Sequence, residues 1–529
     1  MNFKGFLQCK GKNIIDEQGN PYILRGLGIG GWLVKEGYMI HSAAPSPSTI
    51  EKCWIDLLGK KEGTEYIKKY QENFCNEKDF KAIAELGFNS VRIPFHYNML
   101  SPKLGVYLEE GFILLDTIIS WCKKYDMYCI LDMHCAPGSQ NGQNISDDLS
   151  NEAKLYTKNK KYQPHVNDIW KKLALRYKDE PYVAGYDLIN EPVLTHGITM
   201  NDLRNSYLSL TKAVREVDKK HIIFIEGDHY STRFSGLEPK WDDQIVIAFH
   251  KYWNPCSIDS LRRYLEFQEI MDAPLWLGES GENANQWFVE NIDLCESLGI
   301  SWNWWTHKKL DNITNIFNIR KPKDYELLQD YWFKRGPRPT TKVIKKVMYE
   351  LLENIKIENC EFQKDVYYAI LKRDELNNPI PYNENIIPCT IQAGDYDLGK
   401  VNVSYYKENY MRDNLGKHGW NNGRKHRNDG VDVYEQEGSY VVGMNDVGSY
   451  VSYTIFAKND GLYHIELVLK GNGKIKVFVD ENEYIVSLNK AKYCNAKVCD
   501  LVLKEGSHKI KIQTIKPSLF VKTININKD

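Results

Sequence analysis

Two glutamates, Glu191 in YDLINEP and Glu279 in LWLGESG, each stand at the end of an apolar run. A run that drives Leu188 and Ile189 into a core delivers a carboxylate at its end only where polar chemistry is wanted. Two carboxyl groups brought face to face can split an acetal. One, kept protonated, donates to the leaving oxygen; the other, kept ionised, attacks the anomeric carbon. Their surroundings must drive the two pKa values apart. Arg92, with Tyr252 as a hydrogen-bond donor, supplies a cation that can hold one of them anionic. Since 88 positions separate the pair (279 minus 191), only a fold that gathers distant strand ends can bring them together.

The elements that must do this are legible between residue 22 and about residue 305. Short apolar runs (YILRGLGIGG, NSVRIPF, MYCILDMHC, VAGYDLINEP, IIFIEGD, IVIAFHKY, LWLGESG, ISWNWWTHK) alternate with segments such as NEKDFKAIAELGF and VNDIWKKLALRYK. In the latter the apolar residues recur at three- and four-residue steps. Eight buried strands alternating with helices predict an α/β fold, a (β/α)8 barrel. The runs end in polar or aromatic groups: Arg92, Asp132 and His134, Asn190 and Glu191, Glu226 and Asp228, His250 and Tyr252, Glu279, Trp304 and Trp305. The carboxyl ends of the strands are where such a barrel carries its active site.

Before the barrel, FLQCKGKNIIDEQGNPYIL has the turn signals of a hairpin, placed to plug the barrel bottom. The barrel with this hairpin is expected over residues 1–357 and an ordered connector over 358–388. Over 389–529, period-two alternation such as SYVSYTIFA and GKIKVFVDE, broken by Gly, Asn and Asp turns, predicts an antiparallel β-sandwich. Formal net charge is −1, which supplies no long-range field for nucleic acid or an anionic membrane. No apolar stretch reaches the eighteen or so residues that span a bilayer. The twelve cysteines show no C-x-x-C pair and no zinc spacing, the His and carboxylates fall on different strands without ligand spacing, and a carboxylate pair splits an acetal unaided, so neither metal nor cofactor is expected. Read as it stands, MNFKGFLQCKGKN lacks a signal peptide's apolar region; with unpaired cysteines this suggests a cytoplasmic protein, or a secreted one if a leader precedes it. No obligate protein partner is indicated.

RGLGIGGWL, GFNSVRIPF, LDMHCAPGSQNG, LINEP, FHKY, LGES and WNWWTHK occur in the order and spacing of family 5 glycoside hydrolases of clan A, and residues 5–357 resemble that family. GGWLV and APGSQNG are similar to its exo-β-1,3-glucanase branch, with Cys135 where that branch commonly has Gly. The resemblance implies a retaining double displacement with Glu191 as acid/base and Glu279 as nucleophile. It gives Asn190 the sugar 2-hydroxyl, and Arg92 and Tyr252 the orientation of Glu279. His134 and His250 would line the cleaved subsite, Trp305 would be its stacking floor, and Lys308 would contact a hydroxyl. It also implies a β-glucan or oligosaccharide substrate.

Bland roles compete for the other polar residues. Glu226 reads as an ion-pair partner and Glu282 as a rim residue. Asp132 and Asp187 should turn into structural hydrogen bonds, because strand side chains alternate. His229 and His307 read as rim hydrogen-bonders. Most of 389–529 resembles family 6 carbohydrate-binding modules, with departures: Gln392, Gly394 and Lys522 stand at its calcium positions and Met444 at its stacking aromatic, while Tyr493 falls near the second aromatic. The expected function is exo-hydrolysis of β-1,3-glucan. Alternatives are an endo-β-glucanase of β-1,4 or mixed linkage, another β-glycosidase, a non-catalytic glycan-binding protein, or a scaffold acting through the sandwich.

Overall fold

The computed structural model describes residues 4–157, 161–407 and 421–528; Met1–Phe3, with which the N-terminal stretch read above begins, and residues 408–420, inside the sandwich segment, lie outside the described residues. Strands β1 (Gln8–Lys10) and β2 (Asn13–Ile15) form an antiparallel hairpin. Eight parallel strands follow: β3 (Arg25–Gly28), β4 (Ser90–His96), β5 (Tyr128–Cys135), β6 (Val183–Asp187), β7 (Ile222–Glu226), β8 (Ile245–Lys251), β9 (Leu275–Gly281) and β10 (Ser301–Trp305). They pair in chain order, and β10 closes onto β3. This is the (β/α)8 barrel that the alternating pattern predicts.

Helices α1 (Pro47–Leu58), α2 (Lys60–Phe74), α3 (Glu77–Leu86), α4 (Glu109–Lys124), α5 (Gln163–Tyr177), α6 (Met200–Arg215), α7 (Ile258–Met271) and α8 (Asn285–Ser297) lie between the strands. Local chemistry sets their ends. In α3, Asn76 and Asp79 form a reciprocal capping box, and Gly87 ends the helix in the left-handed conformation that a Cβ disfavours. Every residue of β5 is buried, as a strand must be when helices cover one face and the barrel interior fills against the other. At the bottom of the barrel, Leu7, Ile14 and Leu24 join Tyr128, Ile130, Phe224, Val246 and Trp276 in one apolar cluster.

Past the barrel, short strands β11 (Lys308–Leu310), β12 (Phe317–Ile319) and β13 (Glu361–Phe362) pair beside its mouth. Helices α9 (Tyr325–Trp332), α10 (Thr341–Asn354) and α11 (Lys364–Leu371) complete this part, and α11 packs on α8. Among the described residues no helix is long and apolar enough to cross a membrane. All twelve cysteines are free thiols.

The C-terminal strands are β14 (Ile386–Ile387), β15 (Cys389–Gln392), β16 (Tyr405–Tyr406), β17 (Val433–Gln436), β18 (Ser439–Met444), β19 (Tyr450–Ala457), β20 (Gly461–Val479), β21 (Asn482–Leu503), β22 (Gly506–Lys516) and β23 (Leu519–Lys528). Their pairing is antiparallel except where β14 runs beside β19. The long β20 pairs with β23 over its first half and with β22 over its second, so it passes from one layer of the sandwich to the other.

Two readings of this lobe need correction. Met444 is only 2% exposed: it points with Val442 into the sandwich core and offers no face to a sugar. Tyr493 donates its hydroxyl to Gln436 Oε1 at 2.8 Å, and the ammonium groups of Lys470 and Lys522 sit over its ring. The expected calcium positions have other engagements. Gln392 accepts from the Tyr440 amide at 3.2 Å, Lys522 pairs with Glu437 at 2.9 Å, and a Cβ on Gly394 would press on Tyr440 and His426.

The lobe is joined to the barrel by buried polar contacts. Asn285, at the start of α8, donates to Asp365 Oδ2 (2.7 Å) and Asp429 Oδ1 (3.2 Å). Asn428 donates to the carbonyl of Asn283 at 2.8 Å. Arg427 pairs with Asp429 at 2.7 Å and lies over the Tyr396 ring at 3.8 Å. Ala284 of the barrel packs into the sandwich core.

Candidate active site

At the carboxyl ends of the strands a cavity of about 560 Å³ opens, with Glu191 and Glu279 in its wall. A carboxylate oxygen of each lies within 4.8 Å of the other, and His250 stands between them. Its Nδ1 is 2.7 Å from Glu191 Oε1 and 3.6 Å from Glu279 Oε2. Glu279 receives two further donors: Arg92 Nη1 at 2.7 Å on Oε1 and the Tyr252 hydroxyl at 3.0 Å on Oε2.

The two carboxyls have opposite electrostatics. Burial raises the pKa of Glu191, and the charge of Glu279 adds to that effect against a lowering hydrogen bond from His250. Burial would raise Glu279 too, but the positive charges of His250, Arg92 and His134 outweigh it and bring its pKa below the ordinary carboxylate value. His250 is itself raised well above the usual imidazole range: desolvation is overcome by Glu226, Glu279 and the hydrogen bond to Glu191. One proton is thus favoured on the Glu191–His250 side, while Glu279 stays ionised.

Beneath the cavity Arg92 is fully buried among four carboxylates, at 2.8 Å from Asp187, 3.2 Å from Asp132, 3.0 Å from Glu226 and 2.7 Å from Glu279. Asp132 also accepts from His134 Nδ1 at 2.8 Å, which orients that ring. His134 and Trp305 lie parallel, 5.6 Å apart with an interplanar angle of 4°. Added Cβ atoms at Gly28 and Gly30 would fall 2.8 and 2.5 Å from the Trp305 ring, so RGLGIGG leaves the space in which that indole lies flat.

The cavity gathers Glu191, Glu279, His134, His250, Tyr252 and Trp305, and three other expected contacts lie elsewhere. Arg92 is sealed below the floor and acts through Glu279. Asn190 is also fully buried: Oδ1 accepts from Arg92 Nη2 at 2.8 Å and Nδ2 lies 3.3 Å from His134 Nε2, so it holds those two rather than facing a sugar. Lys308 points away from the cavity, donating to Asp79 Oδ1 (2.6 Å) and the Ile355 carbonyl (2.8 Å), because neighbouring residues of β11 face opposite ways. His307 is not a rim residue: it is buried, packs edge-on to Phe74, and neither ring nitrogen meets a hydrogen-bond partner.

Lys309 takes the place beside the cavity that Lys308 does not. Its ammonium meets Glu282, and burial pushes its pKa down to about 7 against the pull of Glu36 and Glu279. Glu36, in the loop after β3, lines the wall, and burial pushes it up to about 7. Tyr38 accepts from Trp305 Nε1 at 2.9 Å. Trp253, 53% exposed at the rim, donates to the Glu282 carbonyl at 3.0 Å. No motif around these residues marked them; LVKEGYM carries only the hint of a charge directly after a glycine-rich turn.

Backbone strain gathers here as well. Glu191, His229, Tyr230, Trp253 and Glu282 all have φ between 44° and 58°, a region costly for residues with a Cβ and kept where surroundings over-determine it. At Glu191 the backbone N–H donates to Glu226 Oε2 at 2.7 Å, which fixes the direction of the side chain.

Among the described residues, two groups hold three possible metal-ligand atoms close together: Glu191, His250 and Glu279, and Cys75, Asp79 and His307. In the second, the Lys308 ammonium occupies the carboxylate edge that a cation would need. In the first, Arg92 and His250 already supply the positive charge around Glu279.

Residues 54–311 match the profile of the cellulase family, glycosyl hydrolase family 5. A beta-xylosidase of Phanerodontia chrysosporium is 29% identical over 62% of this chain and 76% of its own length. Endoglucanase C of Acetivibrio thermocellus is 28% identical over 50% of this chain and 92% of its own. A probable glucan 1,3-beta-glucosidase A of Aspergillus fumigatus is 29% identical over 44% of this chain and 56% of its own. Among solved structures, a beta-glucanase from Saccharophagus degradans covers 66% of this chain and 95% of its own at 17% identity and a TM-score of 0.43.

Proposed function

We propose that this chain, a glycoside hydrolase, is a retaining β-glycosidase that removes single sugars from the non-reducing end of β-1,3-linked glucan. The observation that carries the mechanism is the Glu191–Glu279 pair, with oxygens within 4.8 Å of each other and pKa values shifted in opposite directions. Retaining glycosidases hold their carboxyls about 5–5.5 Å apart, whereas inverting ones leave room for a water at about 6.5–9.5 Å.

In the first step an oxygen of Glu279 bonds to the anomeric carbon while the bond to the leaving oxygen breaks and Glu191 gives that oxygen its proton. In the second, a water attacks the same carbon, Glu191 takes the water's proton, and Glu279 leaves as a carboxylate. Arg92 and Tyr252 keep Glu279 anionic and aimed. Trp305, parallel to His134, supplies an apolar floor for a pyranose. The reaction needs no group beyond these side chains.

End-cutting is supported by the wall at Glu36 and Tyr38. The loop after β3 is pinned by a Gly37 amide bond to the Pro45 carbonyl (3.3 Å), a Ser48 amide bond to Asp147 (2.9 Å) and a Tyr325 hydroxyl bond to the Ile40 carbonyl (2.6 Å). A wall so tied stops a glucan chain from running past the cleavage point. The β-1,3 linkage draws on the Aspergillus relative. An endo-acting β-glucanase is the second reading, favoured by the match over 92% of Endoglucanase C.

Product analysis over time on β-1,3, β-1,4 and mixed-linkage glucans, with aryl β-glucoside and β-xyloside alongside, separates these readings. Immediate monosaccharide of retained anomeric configuration is expected. A spread of oligomers turns the reading to endo, and an inverted anomer removes the covalent route. Glu191→Gln should still be glycosylated by an activated aryl glycoside, and Glu279→Ala should not.

We read the C-terminal sandwich, which resembles family 6 carbohydrate-binding modules, as a lobe of the hydrolase rather than a tethered module. The buried contacts of Asn285, Arg427 and Asn428 support this.

A further inference from the structure

We propose that the cleft between barrel and sandwich is a second saccharide-binding site, distinct from the catalytic cavity, that holds a neutral glucan chain. The cleft has a volume of about 630 Å³, with walls from β11 to β13 on one side and from β17, β18 and the segment around His426 on the other. It contains what a pyranose needs. Phe362 is 43% exposed there, while its inner edge rests near Phe317 and Tyr367 at ring separations of 5.9 and 5.6 Å. Tyr440 is stacked on His426 at 4.3 Å with an interplanar angle of 7°, and His426 is held by Asp395 at 2.7 Å. Rings fixed in advance lose little freedom when a sugar settles on them.

The polar lining selects the class of ligand. Four carboxylates and four basic side chains face the cleft, and pairs such as Arg320–Glu361 (2.9 Å), Lys425–Asp311 (2.7 Å) and Lys321–Glu326 (2.8 Å) neutralise one another. A balanced lining has no net field to draw a phosphate or polyanion, but it presents donors and acceptors side by side. A sugar hydroxyl, donor and acceptor at once, satisfies both. On the sandwich itself Met444 lies in the core, and lysine ammonium groups lie over the Tyr493 ring. The junction is the alternative, and it lies close to catalysis: Asp311 lines the cleft two residues beyond Lys309, whose ammonium meets Glu282 in the catalytic cavity. A polymer held there keeps its free ends at high local concentration near the cavity mouth.

The proposal relies on the β-glucan reading only for the choice of probes, and native gels cast with laminarin, barley β-glucan or hydroxyethylcellulose test it. The full chain carrying Glu279→Ala, which leaves the gel polymer intact, should be retarded by at least one of them. Adding Phe362→Ala and Tyr440→Ala should weaken that retardation about threefold or more, the scale of a lost aromatic contact. In the otherwise unaltered enzyme the same two substitutions should lower kcat/KM on the retarding polymer and leave aryl-glycoside hydrolysis as it was, showing that the chain is folded. Equal retardation with and without the two rings, or no retardation on any polymer, overturns the proposal. Retardation of an enzyme that hydrolyses none of the glycosides would instead count against the proposed catalytic function and leave the binding site standing.

Discussion

The molecule buries two arginines with opposite consequences. Arg427, at the junction, is enclosed by Asp429, Asp365 and the rings of Tyr396 and Tyr382, and all of these but the half-buried Tyr382 are closed to water as it is. Arg92 sits among four carboxylates, but one of them, Glu279, opens onto a cavity. Burying a guanidinium costs several kcal/mol unless its partners compensate. At the junction two carboxylates and two tyrosine rings offset that cost, and the result is adhesion between lobes. Below the cavity the excess of negative partners is shared with His134 and His250, and the result is a carboxylate whose pKa is lowered next to one whose pKa is raised. The difference lies in where the surrounding charges end, not in the ion pair itself.

The substitution Arg92→Met should have the largest effect. It leaves Asp132, Asp187, Glu226 and Glu279 facing one another, so stability should fall by about 3–5 kcal/mol and kcat by about 10²–10³-fold, as when a preorganised electrostatic partner is lost. The pKa of Glu279 then rises, and since its ionised form is required, the acid limb of kcat/KM should move to higher pH. Arg427→Met should cost a similar 3–5 kcal/mol in denaturant melts and leave the acid limb in place. If both substitutions move that limb equally, the two arginines do the same work and the contrast fails.

Much of the barrel was legible because its signal is coarse. A buried run that ends in His, Glu or Arg is visible without coordinates, and eight of them in alternation with helical periodicity leave little choice of architecture. What escaped depends on single steps of direction. Lys308 and Lys309 differ by one position in a three-residue strand, too short for any periodicity to say which faces the cavity. Met444 sits at the end of β18, paired on one side with Leu519 of β23, and the packing of the lobe's core, not the sequence, decides that it faces inward. Asn190 carries the right chemistry one layer too deep. Glu36 and Trp253 lie in loops with no periodic pattern, and the left-handed backbone at Trp253 and Glu282 is a product of tertiary packing that no local motif encodes.

Glu36 extends the contrast to pH. Its native pKa of about 7, raised chiefly by burial, exceeds the usual 4.5. A carboxyl raised in the folded state imposes no penalty below its unfolded pKa, a growing one as pH climbs, and the full one above its folded pKa. Glu36→Gln should therefore match the wild type at pH 4 and exceed it at pH 8 by on the order of 3 kcal/mol, at about 1.4 kcal/mol per pKa unit. Urea melts at the two pH values measure the difference. An advantage that is the same at both would mean that Glu36 is destabilising for a reason other than its charge.

The smallest effect should come from Trp253→Ala. The indole stands 53% exposed at the rim, anchored by one hydrogen bond to the Glu282 carbonyl, and touches neither carboxyl of the proposed catalytic pair. A group so placed contacts the bound sugar equally before and during bond cleavage, so its loss should raise KM and spare kcat. Loss of one aromatic contact of about 1 kcal/mol predicts a KM increase of about fivefold on an oligosaccharide. An aryl glycoside too short to reach the rim should show no change. The contrast between site and junction sharpens if Phe362→Ala follows the reverse order, with an effect on polymer and none on the oligosaccharide. A fall in kcat with Trp253→Ala would instead mean that the strained loop carrying Glu282 transmits its geometry to Glu279, and the rim would then have to be counted as part of the catalytic machinery.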